Sequence, residues 1–403
     1  LPNYSKNYLT PCNIKINNGT IHGNIKLASG STFTMTGGKL NGGIMAWNST
    51  IDIGGGTIEC SKSLSSGYYD KCLRLYVTND VATCTITGGT FIDTYGKQVI
   101  SSEGNGELNI QGGTFRSTST LDTNNLITVE GTDCNISGGN FRNDRLYHAA
   151  VAVKGNSALH ISNGSFLGTG KAIAIESASS VNITGGSYDS NRGIWFNTVN
   201  LPSNIGVYGI TTNGYEGIRT YSAPFGSSSK TAIITIVDSK IYGNVFLTTP
   251  APTGTFSTNI MNSEITTLQS RMRNSINVSD GSRIETINGT CRTVVDVSIH
   301  SNGEVTTILP YDAQYNVSLQ ESILLGNAND CNITLVKNTS LMGTIYTFGA
   351  CQLNVQNYTL DGSGYAITNN GTLSILGTGE ITTSDNYTTI RNNGTLNING
   401  SLT

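Results

Sequence analysis

The stretch from Leu108 to Phe115 reads Leu-Asn-Ile-Gln-Gly-Gly-Thr-Phe and contains the pattern that decides the fold. Apolar and polar residues alternate before the glycines, which is the signature of a strand with one buried face. The Gly-Gly pair supplies the positive φ angles of a sharp corner, and the apolar residue two places later begins the next inward-facing strand. The stretch therefore predicts two short strands joined by a tight turn.

The same phrase recurs along the chain, mostly at intervals of 18 to 26 residues. A period this short leaves no room for a β-α-β unit, which needs about 30 residues. Strands and turns alone must return the chain to its starting side, one turn higher. The sequence therefore predicts an all-β fold, a right-handed parallel β-helix (β-solenoid) of about 17 coils. The clearest copies of the phrase start at Ile16, Met35, Ile53, Ile86, Ile110, Ile136, Ile161 and Ile183, and weaker ones at Ile236, Ile260, Ile299, Leu335, Val355, Ile375 and Ile398.

In-register copies of a phrase predict buried columns of like residues, because each coil can bury its apolar face only against its neighbours. Cys84 and Cys134 stand two places before the key isoleucine, where other copies have Phe33, Ile51, Leu108, Leu159 and Val181. We therefore interpret these two cysteines as core residues. One column should contain the isoleucines Ile86, Ile110, Ile136, Ile161 and Ile183, and another Phe91, Phe115, Phe141, Phe166 and Tyr188.

The regularity of the phrase divides the chain into three predicted regions. Residues 1–200 form a regular solenoid with Gly-Gly turns, residues 201–258 continue it with longer proline-containing loops, and residues 259–403 form a less regular solenoid. We expect the last region to be continuous with the first.

The Ile-x-Gly-Gly-x-Phe phrases, together with Asn370 to Ile375 and Asn393 to Ile398, resemble right-handed parallel β-helix surface proteins and adhesins of low-GC Gram-positive bacteria. The resemblance covers nearly the whole chain and implies an extracellular or cell-surface location. It identifies an architecture, which pectate-lyase-like enzymes, phage tailspikes and adhesins share, so it leaves the function open.

Composition excludes two classes of partner. Charged residues make up 12% of the chain and the formal net charge is -3, which provides no basic field for nucleic acid. No stretch approaches the roughly 18 consecutive apolar residues that a membrane span needs. We expect neither a nucleic-acid partner nor membrane insertion.

Among the eight cysteines, two pairs are candidates for disulfides. Cys60 and Cys72 flank an insertion rich in Ser, Gly and Tyr. Cys331 and Cys351 lie at equivalent positions of adjacent coils, where stacking would bring their Cα atoms to about 4.8 Å, within disulfide range. For both pairs, free thiols are the alternative. No Cys/His spacing predicts a metal site and no motif predicts a cofactor.

Charged residues that could catalyse a reaction are few. Asp144 with Arg145, and Asp189 with Arg192 beside Trp195, are the best local pairs, while Asp93 and Glu130 are scattered. Polysaccharide lyases and hydrolases need clustered carboxylates or an Arg or Lys base on one outward face. We interpret the pairs as solvated turns with weak surface ion pairs, and we predict no catalytic residue.

Aromatic residues are the candidates for ligand binding, because sugar rings present apolar faces with polar rims. Those in loops or beside Asn and Asp are Tyr68, Tyr69, Trp195, Tyr208 and Tyr215. Asn-x-Ser/Thr triplets also recur, and in a eukaryotic host they could carry glycans. They include the triplets that start at Asn18, Asn135, Asn182, Asn288 and Asn393.

Three hypotheses for the function follow. The leading one is a non-enzymatic, extracellular structural or adhesive rod, such as a stalk or filament subunit. The alternatives are a β-helix polysaccharide-active enzyme, either a lyase or a glycoside hydrolase, and a glycan-binding rod without catalysis. The first strand, from Cys12, and the last, up to Ile398, lack a polar cap. We therefore expect either end-to-end association with other copies or a native chain that continues further.

Overall fold

The computed structural model describes residues 10–60, 71–78, 82–119, 124–196, 204–220, 231–247, 255–270, 273–289, 294–310, 314–383 and 388–400. All regular elements in these ranges are β-strands, and they stack in parallel as a solenoid, which confirms the predicted fold class. The solenoid has about 15 turns, fewer than the roughly 17 expected from the sequence. The ranges contain no helix that could cross a membrane. The chain divides into two compact units, Leu1–Pro202 and Ser203–Thr403.

Unit 1 is built from short strands separated by tight corners. In chain order these are β1 Asn13–Ile16, β2 Thr20–His22, β3 Ile25–Leu27, β4 Thr32–Met35, β5 Lys39–Asn41, β6 Ile44–Trp47, β7 Thr50–Ile53, β8 Thr57–Cys60, β9 Lys71–Val77, β10 Thr83–Ile86, β11 Thr90–Asp93, β12 Gln98–Gly104, β13 Glu107–Ile110, β14 Thr114–Ser117, β15 Ile127–Glu130, β16 Asp133–Ile136, β17 Asn140–Arg142, β18 Ala149–Lys154, β19 Ser157–Ile161, β20 Ser165–Ile175, β21 Ala178–Ile183 and β22 Ser187–Phe196.

The strands of unit 1 form three parallel ladders. The first ladder contains β1, β4, β7, β10, β13, β16, β19 and β21. The second contains β2, β5, β8, β11, β14, β17 and the first parts of β20 and β22. The third contains β3, β6, β9, β12, β15, β18 and the second parts of β20 and β22. Turns such as Gly112-Gly113 join the first ladder to the second, and segments such as 143–148 join the second ladder to the third.

The predicted columns of unit 1 are confirmed. The isoleucines from Ile86 to Ile183 are register partners on the first ladder and are fully buried. The aromatic rings from Phe91 to Tyr188 lie on the second ladder with centroids 4.7 to 4.9 Å apart and nearly parallel planes. The hydroxyl of Tyr188, which is fully buried, donates to the carbonyl of Gly185 at 3.0 Å. Tyr188 is therefore a core residue and not a ligand platform.

The two glycines of the Gly-Gly turn have different roles. Gly113 has a φ of +100°, a backbone conformation that other residues adopt only with strain. Gly112 has no positive φ, but a Cβ there would collide with the carbonyl oxygen of Thr87 on the preceding turn. The predicted positive φ angle is therefore found at Gly113. Gly112 is required for a different reason, because the backbone of the preceding turn leaves no room for a side chain there.

Unit 2 has longer strands that often continue through a corner. In chain order these are β23 Asn204–Tyr208, β24 Thr211–Thr212, β25 Glu216–Thr220, β26 Thr231–Val237, β27 Lys240–Leu247, β28 Thr255–Met261, β29 Glu264–Ser270, β30 Arg273–Ser279, β31 Arg283–Gly289, β32 Val294–Ile299, β33 Glu304–Pro310, β34 Gln314–Asn329, β35 Cys331–Leu341, β36 Ile345–Phe348, β37 Ala350–Asn354, β38 Thr359–Asp361, β39 Ile367–Asn369, β40 Thr372–Leu376, β41 Glu380–Thr382, β42 Ile390–Asn392 and β43 Thr395–Ile398.

In part of unit 2, serines replace the glycine corners. The Ser239 amide donates to the Ser263 hydroxyl at 3.1 Å, and the Ser263 amide donates to the Ser282 hydroxyl at 3.2 Å. Asp238 and Asn262, the residues before two of these serines, take the positive φ angles. The Gly-Gly phrase is therefore weaker in this part of the sequence. The column of inward residues nevertheless continues, and its members are buried register partners: Ile236, Ile260, Val278, Ile299, Leu319 and Leu335.

The aromatic column of unit 1 yields a stability prediction. Replacing Phe115 by Ala removes a ring that stacks on both Phe91 and Phe141 and leaves a cavity. We expect the free energy of unfolding to fall by about 3–5 kcal/mol, measured by urea denaturation. The adjacent exposed Arg116, replaced by Ala, is the control and should change it by less than about 0.5 kcal/mol. Equal effects of the two substitutions would contradict the assigned orientation of β14.

Cys84 and Cys134 are core residues, as predicted. They are register neighbours of Leu108 on the first ladder and are at most 1% exposed. Burial raises the pKa of Cys134 to about 12, and the nearby Asp133 carboxylate makes a smaller contribution in the same direction. An unfolded cysteine has a pKa of about 8.5, so between these values only the unfolded chain releases the proton.

This difference in pKa makes stability fall at alkaline pH. Above about pH 9, each such thiol should lower the free energy of unfolding by about 1.4 kcal/mol per pH unit, because the folded state retains the proton. Cys134→Val should remove one such contribution from the slope, measured by urea denaturation between pH 8 and 10.5. Leu159→Val, in the same column, should shift stability while leaving the slope unchanged. An unaltered slope for Cys134→Val would refute the prediction.

Candidate functional site

A groove with an open volume of about 320 Å³ lies on the outward face of the third ladder of unit 1. This volume is at the small end of the range for ligand sites, which is about 300–1,000 Å³. The groove is lined by Gln98, Asn124, Asn125, Thr128, Tyr147, His148, Lys154, Lys171, Ala174 and Glu176.

Small side chains form the floor of the groove. Thr128 on β15 and Ala174 on β20 line it, and the fully buried Ala152 on β18 lies between them in register. The residues that alternate with these three point inward and are fully buried. On the next turn Trp195 takes the same position and is half-buried. The change from small residues to an indole bounds the groove at that end. At the other end, the Gln98 amide donates to the Thr128 hydroxyl at 2.7 Å.

One wall of the groove comes from the loops that join the second ladder to the third. Tyr147 is 65% exposed, the largest such fraction among the described aromatic residues of unit 1. The side chain of Asn125 accepts a hydrogen bond from the amide of Ala149 at 2.8 Å. The side chain of Asn143 donates to the carbonyl of His148 at 2.9 Å. Amide side chains thus hold the ends of these loops in place.

A buried ion pair lies beneath this wall. Nη2 of Arg145 is 2.6 Å from Oδ2 of Asp93, and the two side chains are 3% and 0% exposed. The Asp93 carboxylate also accepts from the amides of Tyr95 and Gly96 and from the Ser117 hydroxyl, at 2.9 to 3.1 Å. A buried charge is tolerated only when it is paired and hydrogen-bonded, and Asp93 satisfies both conditions.

Arg145 also connects three successive loops. Its Nη1 donates to the carbonyl of Lys97 at 3.0 Å and to that of Asn124 at 2.6 Å, and its own backbone belongs to the third loop. The guanidinium has five donors in a rigid fork, which suits it to several acceptors at once. Arg145 therefore positions Asn124, and through its own loop Tyr147 and His148, along the groove.

These contacts correct the interpretation of Asp144 and Arg145 as a solvated turn. Arg145 is buried and pairs with Asp93. From the sequence alone, Asp93 is a scattered charged residue without a predicted partner. Asp144 instead pairs with Arg142 at 2.8 Å, and both of these side chains are about half exposed or more. The loop therefore directs the side chain of Asp144 outward and that of Arg145 inward. The sequence spacing of the two residues does not reveal this difference.

The opposite wall and the end of the groove carry charge. Nζ of Lys154 is 3.0 Å from Oε2 of Glu176. The ammonium of Lys171 lies 3.7 Å from the centroid of the Trp195 ring and donates to the carbonyl of Tyr147 at 3.1 Å. Trp195 therefore holds a cation at the end of the groove through a cation–π contact. Arg192 approaches the same ring at 5.1 Å.

The structure separates the aromatic residues predicted to bind a ligand. Trp195 adjoins the groove, whereas Tyr208 and Tyr215 belong to unit 2, where they are 36% and 75% exposed. Tyr68 and Tyr69 lie outside the described residues. Sequence reasoning missed Tyr147 and His148, because the loop that carries them has no repeat register. The one available signal was their position two and three residues after Arg145.

The remaining charged candidates are exposed or lie beside the groove. Asp189 is exposed on β22, where it is the register partner of Leu167. Glu130 is exposed at the end of β15, and Lys154 is its register partner on the next turn. Within the described ranges, no three His, Cys, Asp or Glu side chains come close enough to hold a metal ion.

The asparagines of the candidate glycosylation triplets differ in their surroundings. Asn135 is half-buried on β16, and its amide donates to Glu107 at 2.9 Å and to Asn109 at 3.0 Å. Asn288, on β31, is also half-buried. Asn18, Asn182 and Asn393 are exposed, although the amide of Asn393 donates to Asn370 at 3.0 Å. A glycan on Asn135 would have to break contacts within a ladder.

All described cysteines are free thiols in the structure. Cys331 donates to the carbonyl of Asn329 at 3.0 Å, and Cys351 donates to that of Phe348 at 3.3 Å. The sulfur atoms of Cys60 and Cys72, by contrast, lie 3.1 Å apart. The two candidate disulfides remain predictions.

Comparison with protein-family models, with curated proteins and with solved structures finds no match to this chain.

The buried ion pair can be tested against its exposed neighbour. Arg145→Ala should leave the Asp93 carboxylate buried without its charged partner and lower the free energy of unfolding by about 3–5 kcal/mol. Arg142→Ala removes an exposed pair from the same loop and should cost about 0–1 kcal/mol. Urea denaturation measures both. A loss below about 1 kcal/mol for Arg145→Ala would show that the ion pair does not hold the loops.

Proposed function

We propose that this chain is a non-enzymatic, extracellular adhesive solenoid that binds a carbohydrate in the groove of unit 1. The observation that carries the proposal is an exposed tyrosine, Tyr147, on a groove lined by amides and fixed by a buried ion pair. Saccharides are recognised by such a combination, since an aromatic ring covers the apolar face of a sugar and amides bond its hydroxyls.

The rigidity of the groove supports binding. Holding a loop in its bound conformation lowers the entropic cost of association. Arg145 fixes three loops from below, and Asn125 and Asn143 fix the ends of two of them. A groove prepared in this way can bind a short saccharide despite its small volume.

The charges of the groove favour an acidic saccharide. Lys154 and Lys171 line it together with a single carboxylate, Glu176. Two ammonium groups and one carboxylate therefore line the groove, and the carboxylate pairs with Lys154. A carboxylate on the sugar would find a cation held in position by Trp195.

The acidic residues near the groove support binding over hydrolysis. A glycosidase needs two carboxyl groups, one on each side of the scissile bond. A single carboxylate, Glu176, lines the groove. The side chain of Glu176 is 37% exposed and paired, and Glu130 is exposed. The extracellular and adhesive parts of the proposal rest on the resemblance of the Gly-Gly phrases to surface proteins.

Binding measurements test the proposal. We expect calorimetric titration with uronic-acid-containing oligosaccharides to detect binding that Tyr147→Ala weakens at least tenfold, equivalent to about 1.4 kcal/mol. Tyr346→Ala, at an exposed tyrosine of unit 2, is the matched control and should leave the affinity unchanged.

Two results would count against this function. Failure of neutral and acidic saccharides alike to bind would remove the carbohydrate site. Release of reducing ends or unsaturated products, abolished by Glu176→Gln, would favour the alternative of a polysaccharide-active enzyme.

A further inference from the structure

Two buried thiols meet at a corner of unit 1. Cys60 is the last residue of β8 and Cys72 is the second residue of β9. They are 1% and 0% exposed, and their sulfur atoms are 3.1 Å apart. This separation is only about 1 Å longer than a covalent S–S bond of about 2.05 Å.

The place of Cys60 in the ladder gives this contact a structural role. Cys60 is the register partner of Asp93, and its sulfur lies 3.8 Å from the Asp93 carboxylate. On the following turns, the ion pair of Asp93 with Arg145 and the hydroxyl of Ser117 hold the same corner closed. On the turn of Cys60, sulfur occupies the position that Asp93 and Ser117 occupy above it.

We propose that Cys60 and Cys72 form a disulfide that closes this corner. The bond would join the second and third ladders within one turn, across 12 positions of sequence. By limiting the conformations of the unfolded chain, it would stabilise unit 1.

The other buried cysteines of the described ranges do not share this geometry. Cys84 and Cys134 are separated by Leu108 in their column. The thiols of Cys331 and Cys351 donate to separate backbone carbonyls. We therefore expect selective oxidation of the Cys60–Cys72 pair.

The oxidation can use a small-molecule disulfide such as oxidised glutathione. One cysteine thiolate displaces a glutathione thiolate to form a mixed disulfide, and the second thiolate then displaces the other glutathione. In total the two thiols lose two protons and two electrons, and one oxidised glutathione becomes two reduced molecules. The hydrogen bond with Cys72, and then burial, raise the pKa of Cys60, so the folded pair reacts slowly and the bond forms during folding.

Peptide mapping of the full chain tests the proposal without any variant. Protein refolded in a glutathione redox buffer is denatured, alkylated and digested without reductant. We expect a cross-linked peptide pair containing Cys60 and Cys72, which disappears after reduction. Complete alkylation of both residues, or their linkage to other cysteines, would overturn the proposal.

Thermal denaturation gives a second measurement. The oxidised protein should unfold roughly 5 to 10 °C above the reduced protein. Cys72→Ser should abolish this difference, whereas Cys84→Ala, at another buried thiol, should retain it. Equal melting temperatures for oxidised and reduced wild type would contradict a stabilising bond. The outcome does not depend on saccharide binding, so the two proposals can fail separately.

Discussion

In-register parallel stacking is the constraint on which the rest of each unit depends. A single turn cannot bury its inward residues by itself, so every inward side chain is covered by the equivalent residue of the turns before and after it. Backbone hydrogen bonds between turns fix the register, and the register fixes which side chains meet. The ring column from Phe91 to Tyr188 shows the result, with centroid separations close to the spacing of strands in a sheet. Even the choice of corner residue follows, since Gly112 has to admit the backbone of the preceding turn.

The loops between the second and third ladders escape this constraint, because they have no equivalent residues to stack on. Side chains must hold them instead, and in unit 1 one guanidinium contacts three of them. The groove of Tyr147 therefore combines two kinds of order. The residues of its floor are positioned by the register of the third ladder, and the loops of its wall are held by the buried ion pair of Asp93 and Arg145.

The fold was predictable because the period-two pattern and the glycine phrase report directly on strands and corners. Cys84 and Cys134 could even be placed in their column, since position relative to the key isoleucine sets the register. The partner of Arg145 could not be predicted, because Arg145 lies in a loop without periodicity and Asp93, at the end of β11, is 52 positions away in the sequence. A sparse distribution of charge also suggested solvated turns, and the burial of Arg145 corrects that view. Trp195 adjoins the groove, as a ligand-binding candidate should. Its cation–π contact with Lys171 joins two successive turns, so it could not be read from the sequence around Trp195.

The reach of Arg145 has a consequence for how this protein can evolve. In repeat proteins each repeat contacts only its neighbours, so a whole repeat can in principle be added or removed where contacts join adjacent repeats alone. Arg145 and Asp93 are separated by two steps of the ladder, about 4.8 Å each, with Ser117 on the turn between them. Insertion or loss of one turn within this span would move the guanidinium out of hydrogen-bonding range of the carboxylate. The ion pair therefore requires the present number of turns between Asp93 and Arg145, and a whole turn can be added or removed without breaking it only outside this segment.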